Sequence, residues 1–356
     1  MSNPFKFGSV VDKDFFTDRK FETEELRSIL SSKNHLILIS PRRFGKTSLI
    51  KKATQNIKRP IIYFDLQSAT DISDFAAQLL KIVLKNYKWE NLKQLISQFR
   101  IVPTVEINPT SDSMEISFQA TTKNKFTQLE DVLNLIEKLG TQNHKPIVIF
   151  DEFQEIILLG KNLPKQLRAV IQHHENINYV FLGSLESMMK TIFEDKKSPF
   201  YHFGHLMYLH KIPYEDFLEY LQSRFSKITT NSIELSAKIL EFTQQHPYYT
   251  QQLAFYCWDF LEKHKPNAKI LEEVISNIIS IYDFNYEKLW NTINKTDKKI
   301  LITIALQKNI STILLPLSTI YSGINRLINK GYIFKTEKYE IDDPFFNQWI
   351  IQKRNE

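Results

Sequence analysis

His35-Leu36-Ile37-Leu38-Ile39-Ser40-Pro41-Arg42-Arg43-Phe44-Gly45-Lys46-Thr47-Ser48 opens with an apolar run and closes with a run suited to a helix starting at Lys46. The apolar part reads as a buried strand, and Ser40-Pro41 breaks it. Between strand and helix lie Ser40, four residues, and Gly45-Lys46-Thr47. A loop so placed aims backbone N–H groups and the positive end of a helix at an anion. A lysine can then reach phosphate oxygens, and a threonine hydroxyl can ligate Mg²⁺. Ser40, Pro41, Arg42, Arg43, Phe44, Gly45, Lys46, Thr47 and Ser48 are therefore expected to line a phosphate site, with Thr47 on the metal. Ser40 stands where this pattern wants glycine; serine is small enough for a tight turn but costs more if φ is positive. A Gly-Lys-Thr triplet is common by chance, and a basic turn between two core elements is the plainer alternative. The flanking strand and helix favour the phosphate loop.

A second signal lies at Ile147-Val148-Ile149-Phe150-Asp151-Glu152, four apolar residues ending in an acidic pair. Two carboxylates are thereby placed at the C-terminal edge of a buried sheet, where ligands of open α/β sheets bind. The first can hold Mg²⁺ through its water shell, and the second can accept a proton from an attacking water. Alone, the pair could equally cap the next helix; together with the loop it points to a bound nucleotide.

Further apolar runs at 60–66 and 179–184 alternate with helical patterns at 19–31, 73–86, 128–139 and 163–174, the alternation of an α/β domain with a parallel sheet. Residues 101–119 break it with two period-two runs about Asn108–Asp112, which reads as an inserted hairpin. Phe5, Phe7, Phe15 and Phe16 make the N-terminal arm too aromatic to float free, and Thr17-Asp18 can cap the helix after it. Beyond Pro213 the strands stop, and four or five amphipathic helices follow to about 290. The last part, 291–356, reads as helices, then two short strands about a charged turn at 331–341, the outline of a winged helix. The expected domains are 1–212 (α/β, with arm and hairpin), 213–290 (helical lid) and 291–356 (winged helix).

The 42% apolar and 24% charged content is that of an ordinary globular chain, and +6 net charge permits acidic partners without demanding them. The first residues lack the apolar stretch of a secretory leader, and Lys308-Asn309 interrupt the longest apolar region. The lone Cys257 forms no internal disulfide, so a cytoplasmic location is expected. The His173-His174 and His202/His205 pairs lack partners at zinc-site spacing. Met188-Met189 and Phe255-Tyr256 fit helix packing, and Glu194–Lys197 a solvated loop.

At several of these residues the chain resembles the archaeal-type ATPases, a branch of the AAA+/STAND P-loop NTPases. The resemblance rests on Phe16-Thr17-Asp18-Arg19, Pro41–Thr47, Asp151-Glu152-Phe153-Gln154-Glu155, Leu182-Gly183-Ser184, His246-Pro247-Tyr248-Tyr249 and Asp342-Asp343-Pro344-Phe345-Phe346 with Trp349. It implies an α/β P-loop NTPase domain with a parallel sheet, a helical lid and a C-terminal winged helix, binding ATP or ADP with Mg²⁺. Carried over, Lys46 and Thr47 contact phosphate and metal, Asp151 holds the metal, Glu152 is the catalytic base, and Ser184 orients the water or touches the γ-phosphate. The arm around Phe16 and Arg19 lies beside the adenine, and Pro247 lies where the lid closes. Two further departures stand beside Ser40. Gln245 occupies a position where such chains usually carry glycine, and His205 one where they often carry arginine.

An arginine finger contributes about 10³ to 10⁵ in rate, so its lack implies a slow, switch-like ATPase. Arg168, on the helix after the acidic pair, could serve a neighbouring copy. The partners expected are ATP, a protein partner or a second copy, with no membrane contact. A DNA-binding regulator using the winged helix is the alternative. Its recognition helix would present Ser318, Thr319, Tyr321, Ser322, Asn325, Arg326 and Asn329, with few cations for phosphate. A small-molecule kinase lacks a recognisable acceptor site.

Overall fold

The computed structural model describes residues 2–8, 19–32, 34–108, 113–118, 125–184, 186–264, 269–335 and 337–354. Phe16 and the Thr17-Asp18 cap lie outside them, as does the tip of the inserted hairpin. The chain divides into two units. One comprises residues 21–40 and 50–209, the other residues 1–20, 41–49 and 210–356.

Along the first stretch run α1 (Lys20–Ser31), β1 (Leu36–Ile39), α2 (Lys46–Thr54), β2 (Ile61–Asp65), α3 (Ile72–Asn86) and α4 (Trp89–Ile96). β3 (Thr104–Asn108), β4 (Ser113–Ser117), α5 (Lys125–Leu139), β5 (Ile147–Asp151), α6 (Ile156–Leu159) and α7 (Leu163–Ile171) follow, then β6 (Asn178–Gly183), α8 (Glu186–Phe193) and β7 (His205–Tyr208). The main sheet has the order β2-β5-β6-β1-β7, and every pair in it is parallel. β1, β5 and β6 are buried along their whole length, which is why they stand out as unbroken apolar runs. The fifth strand, His205-Leu206-Met207-Tyr208, escapes that reading. It is a short edge strand with one buried residue, so burial leaves no pattern in its composition. β3 and β4 form the expected antiparallel hairpin. Aromatic rings fill one side of the sheet: Phe153 lies 4.5 Å from Phe181, and both contact Phe193 and Phe200.

The second stretch carries α9 (Tyr214–Phe225), α10 (Ser232–Thr243), α11 (Pro247–Lys263) and α12 (Ile270–Thr292), then α13 (Lys295–Ala305), α14 (Leu317–Asn329), β8 (Ile333–Lys335), β9 (Tyr339–Ile341) and α15 (Pro344–Lys353). Helix, helix and antiparallel hairpin follow in the order expected of a winged helix. One apolar core runs from Phe5 through α9–α12 to Ile350. The arm residue Phe5 packs 4.9 Å from Phe225, and Phe7 lies 5.3 Å from Phe255. The Asp343-Pro344-Phe345-Phe346 motif is a helix start. Asp343 accepts the Phe345 and Phe346 N–H groups at 2.8 and 3.1 Å, Pro344 takes the first turn, and the two rings and Trp349 are buried.

Candidate nucleotide-binding site

In the sheet unit, β5 delivers Asp151 and Glu152 and β6 delivers Ser184 to one sheet edge. Ser40, the residue after β1, lies at the same edge and donates its N–H to the Gly183 carbonyl at 3.3 Å. At Ser40 the chain therefore leaves β1 beside the end of β6. Asp151 is buried; its Oδ1 accepts the Glu152 N–H at 2.9 Å, and its Oδ2 accepts the Tyr63 hydroxyl. Glu152 takes a left-handed backbone (φ 48, ψ 46), a conformation that costs a non-glycine residue about 1 kcal/mol. Such strain is characteristic of residues held for function. Its Oε2 accepts both the Ser184 hydroxyl and the Gln154 amide. Glu152 is thus held in place by two donors.

Three members of this cluster escaped the sequence reading. Tyr63 and Asp65 lie on β2, whose Asp65 pairs in register with Asp151. Burial raises the Asp65 pKa, the Gln67 N–H bond opposes this, and the charges of Asp151 and Glu152 raise it further. A third carboxylate thus feels the acidic pair. Only the strand order brings β2 beside β5, so nothing local in the sequence announces it. Gln154 lies inside the quoted motif, but its role depends on the turn at Glu152.

In the other unit, the loop shows why Ser40 suffices. Positive φ falls at Arg43 (φ 62) and Gly45 (φ 91), not at Ser40. Gly45 has open space where a Cβ would go, so its φ alone demands glycine. The Leu49 N–H donates to the Gly45 carbonyl at 2.9 Å, which starts α2 with Lys46 and Thr47 in its first turn. Lys46 is 5% exposed. The buried Arg19 donates to the carbonyls of Phe44 (3.3 Å) and His210 (2.9 Å), so it braces the loop from behind.

Arg43 turns toward α11. Its Nη1 donates to the Tyr249 hydroxyl at 2.9 Å, and its guanidinium carbon lies 4.7 Å from the centre of the Tyr248 ring. Burial works to lower its pKa, but Tyr249, Tyr248, Asp342 and Asp343 produce a net rise. Phe44 is buried, 5.0 Å from His246 and 5.8 Å from Phe334 on β8. Pro247 opens α11 directly after His246. The turn before it holds Gln244 (φ 50) and Gln245 (φ 60) in the left-handed region. The glycine-favouring conformation is therefore present even though glutamines fill it. His205, where such chains often carry arginine, lies 3.6 Å from Glu25. Arg168 donates to Gln172 at 3.0 Å and stacks 4.5 Å from the Phe203 ring centre.

The sequence profile of an ATPase domain found predominantly in Archaea matches residues 16–253. The chain belongs to this family of archaeal-type ATPases. Among solved structures it is similar to the Walker-type ATPase PABY2304 of Pyrococcus abyssi, at 17% identity and a TM-score of 0.65, covering 94% of this chain and 96% of that one. It is also similar to the ORC2 protein of Aeropyrum pernix, solved in ADPNP–ADP complexes, at 14% identity and a TM-score of 0.55 over 98% and 99% of the two chains. A RuvB variant of Thermotoga maritima shares the fold at 13% identity and a TM-score of 0.51, over 96% and 97%. No curated protein matches the chain. Among the described residues, no helix of this ATPase is long and apolar enough to cross a membrane.

Proposed function

We propose that this archaeal-type ATPase binds ATP with Mg²⁺, cleaves it slowly, and works as a nucleotide-dependent conformational switch of the AAA+/STAND type. The observation that carries the reading is Glu152, strained in backbone and gripped by Ser184 and Gln154, beside Asp151 at the sheet edge from which the phosphate loop departs. Lys46 would bind the β/γ oxygens, with the loop N–H groups and the start of α2 around them. Thr47 would ligate Mg²⁺ and Asp151 would hold it through its water shell, as the resemblance implies, both being oxygen donors of the kind a hard cation prefers. Glu152 would take the proton of the attacking water, and Ser184 would hold Glu152 or the water in line.

Slow turnover is supported by the positions nearest to a missing arginine. His205 faces Glu25, and Arg168 is engaged by Gln172 and Phe203 of its own chain. Fingerless sites turn over near ~10⁻⁴ s⁻¹. The output would be a protein partner or self-association rather than DNA. The outer face of α14 and the loop before it expose Leu314, Leu317 and Tyr321, and Arg326 is tied to the buried Asp297 at 2.7 Å. Neither feature suits a phosphate backbone.

The test is binding and turnover of a fluorescent ATP analogue and of ATP by the purified full chain. Lys46→Ala should not bind. Glu152→Gln should hold ATP uncleaved, and the wild-type monomer should stay below roughly 1 s⁻¹. Undiminished cleavage by Glu152→Gln would show that another group is the base.

A further inference from the structure

Two side chains of the phosphate loop, Arg43 and Phe44, are spent on the lid and the hairpin of β8 and β9. Arg43 reaches Tyr249 and the face of Tyr248 on α11, and Phe44 is wedged between His246 and Phe334. His246 joins the same group to β9's end, its Nε2 lying 3.3 Å from Asp342 Oδ1. Asp343, the next residue, caps α15 and accepts the Tyr286 hydroxyl at 3.0 Å. A short chain of contacts thus runs from the loop to the start of the last helix, across three elements distant in sequence. At its root, Arg43 holds a left-handed backbone that a non-glycine residue adopts only at a cost of about 1 kcal/mol. A loop that merely wrapped phosphate would relieve this with glycine. The cost is offset here by what the arginine side chain grips.

We propose that Arg43 is a positioning residue that passes the loop's nucleotide state to the lid and the β8–β9 hairpin, with Phe44 as its apolar companion. The proposal rests on the nucleotide reading above and names the route of its regulation. Nucleotide entering the loop alters the backbone that carries Arg43 and Phe44. A shift there lengthens the Arg43–Tyr249 bond or unseats Phe44 from between His246 and Phe334. Each contact is formed or lost as a unit, because packed rings and a fork-shaped guanidinium do not deform gradually. A ligand can move this equilibrium only as far as its affinities for the two arrangements differ, commonly 5- to 150-fold.

The experiment follows hydrogen exchange of the segment 331–345 in the full chain, with and without a saturating fluorescent ATP or ADP analogue. In the wild type, binding is expected to change exchange there on the order of fivefold or more. Tyr249→Phe, which loses only the hydroxyl that Arg43 grips, should bind the analogue within about threefold of wild type and lose most of that response. Arg43→Ala should lose the response as well. Arg43→Lys, keeping the charge over Tyr248 but not the fork, should retain part of it. Arg43→Gly, free of the backbone strain, replaces Arg43→Ala should the latter not fold. A full response in Tyr249→Phe would overturn the proposal. So would a wild type that binds without any change at 331–345. It is equally overturned if Arg43→Ala weakens binding about a hundredfold yet responds fully once loaded, since Arg43 would then be a phosphate ligand. A wild type that binds neither analogue would strike the nucleotide reading itself, a result distinct from these.

Discussion

Acid should loosen the root of β1 through His35. This residue precedes β1, with its Nδ1 accepting the Tyr179 N–H at 3.2 Å and its ring stacked 4.6 Å from Phe203. Its pKa is lowered from 6.5 to about 4 by burial first, then by Arg168, Lys145 and His174. His174 is itself lowered by burial, so it acts in the same direction. A proton on Nδ1 would remove the acceptor that Tyr179 uses. In the unfolded chain His35 takes up its proton near pH 6.5. The native state resists until about pH 4, so its contribution is intact above pH 6.5 and drains away as pH falls toward 4. The full difference amounts to about 3 kcal/mol, of which about 2.5 kcal/mol is gone by pH 4.5. His35→Asn supplies the control, since its amide oxygen can accept the same N–H and does not titrate. Urea unfolding of both proteins from pH 7.5 to 4.5 should show the wild type losing about 2.5 kcal/mol more than the variant. Parallel profiles, or an NMR titration of the His35 ring with a midpoint above pH 6, would refute the reasoning.

Other outcomes follow from the same contacts. Ser184→Ala removes a hydrogen bond to the Glu152 side chain, worth about 1.5–3 kcal/mol, so kcat for ATP should fall roughly 10- to 100-fold with little change in nucleotide affinity. An equal loss of affinity would mean that Ser184 contacts nucleotide in the ground state. Arg326→Ala uncovers the buried Asp297 carboxylate and should lower the melting temperature by a few degrees; adding Asp297→Asn should restore part of it. No restoration by the second change would show that Arg326 acts by packing, not charge.

Much of this molecule was legible from one dimension. Parallel strands buried on both faces must be continuous apolar runs, so β1, β5 and β6 could be read from the sequence, and with them the sheet edge where Asp151, Glu152 and Ser184 stand; β2, only half-buried, was legible because Ile61–Phe64 is apolar all the same. The phosphate loop was legible because its chemistry needs a fixed local order: a small residue, Gly45, Lys46, Thr47. The short edge strand β7 was not, because a strand covered on so little of its surface imposes no hydrophobic pattern. Tyr63 and Asp65 joined the acidic pair only through the order of strands in the sheet, a long-range arrangement that leaves no mark at either position. The conformations of Ser40 and Gln245 were also beyond the sequence, since whether a position needs glycine depends on which residue of a turn carries the positive φ. Arg43 shows the same division. Its place beside Gly45-Lys46 is written in the chain and suggests phosphate. Its hold on Tyr248 and Tyr249 exists only because folding brings residues some two hundred positions apart within hydrogen-bonding distance.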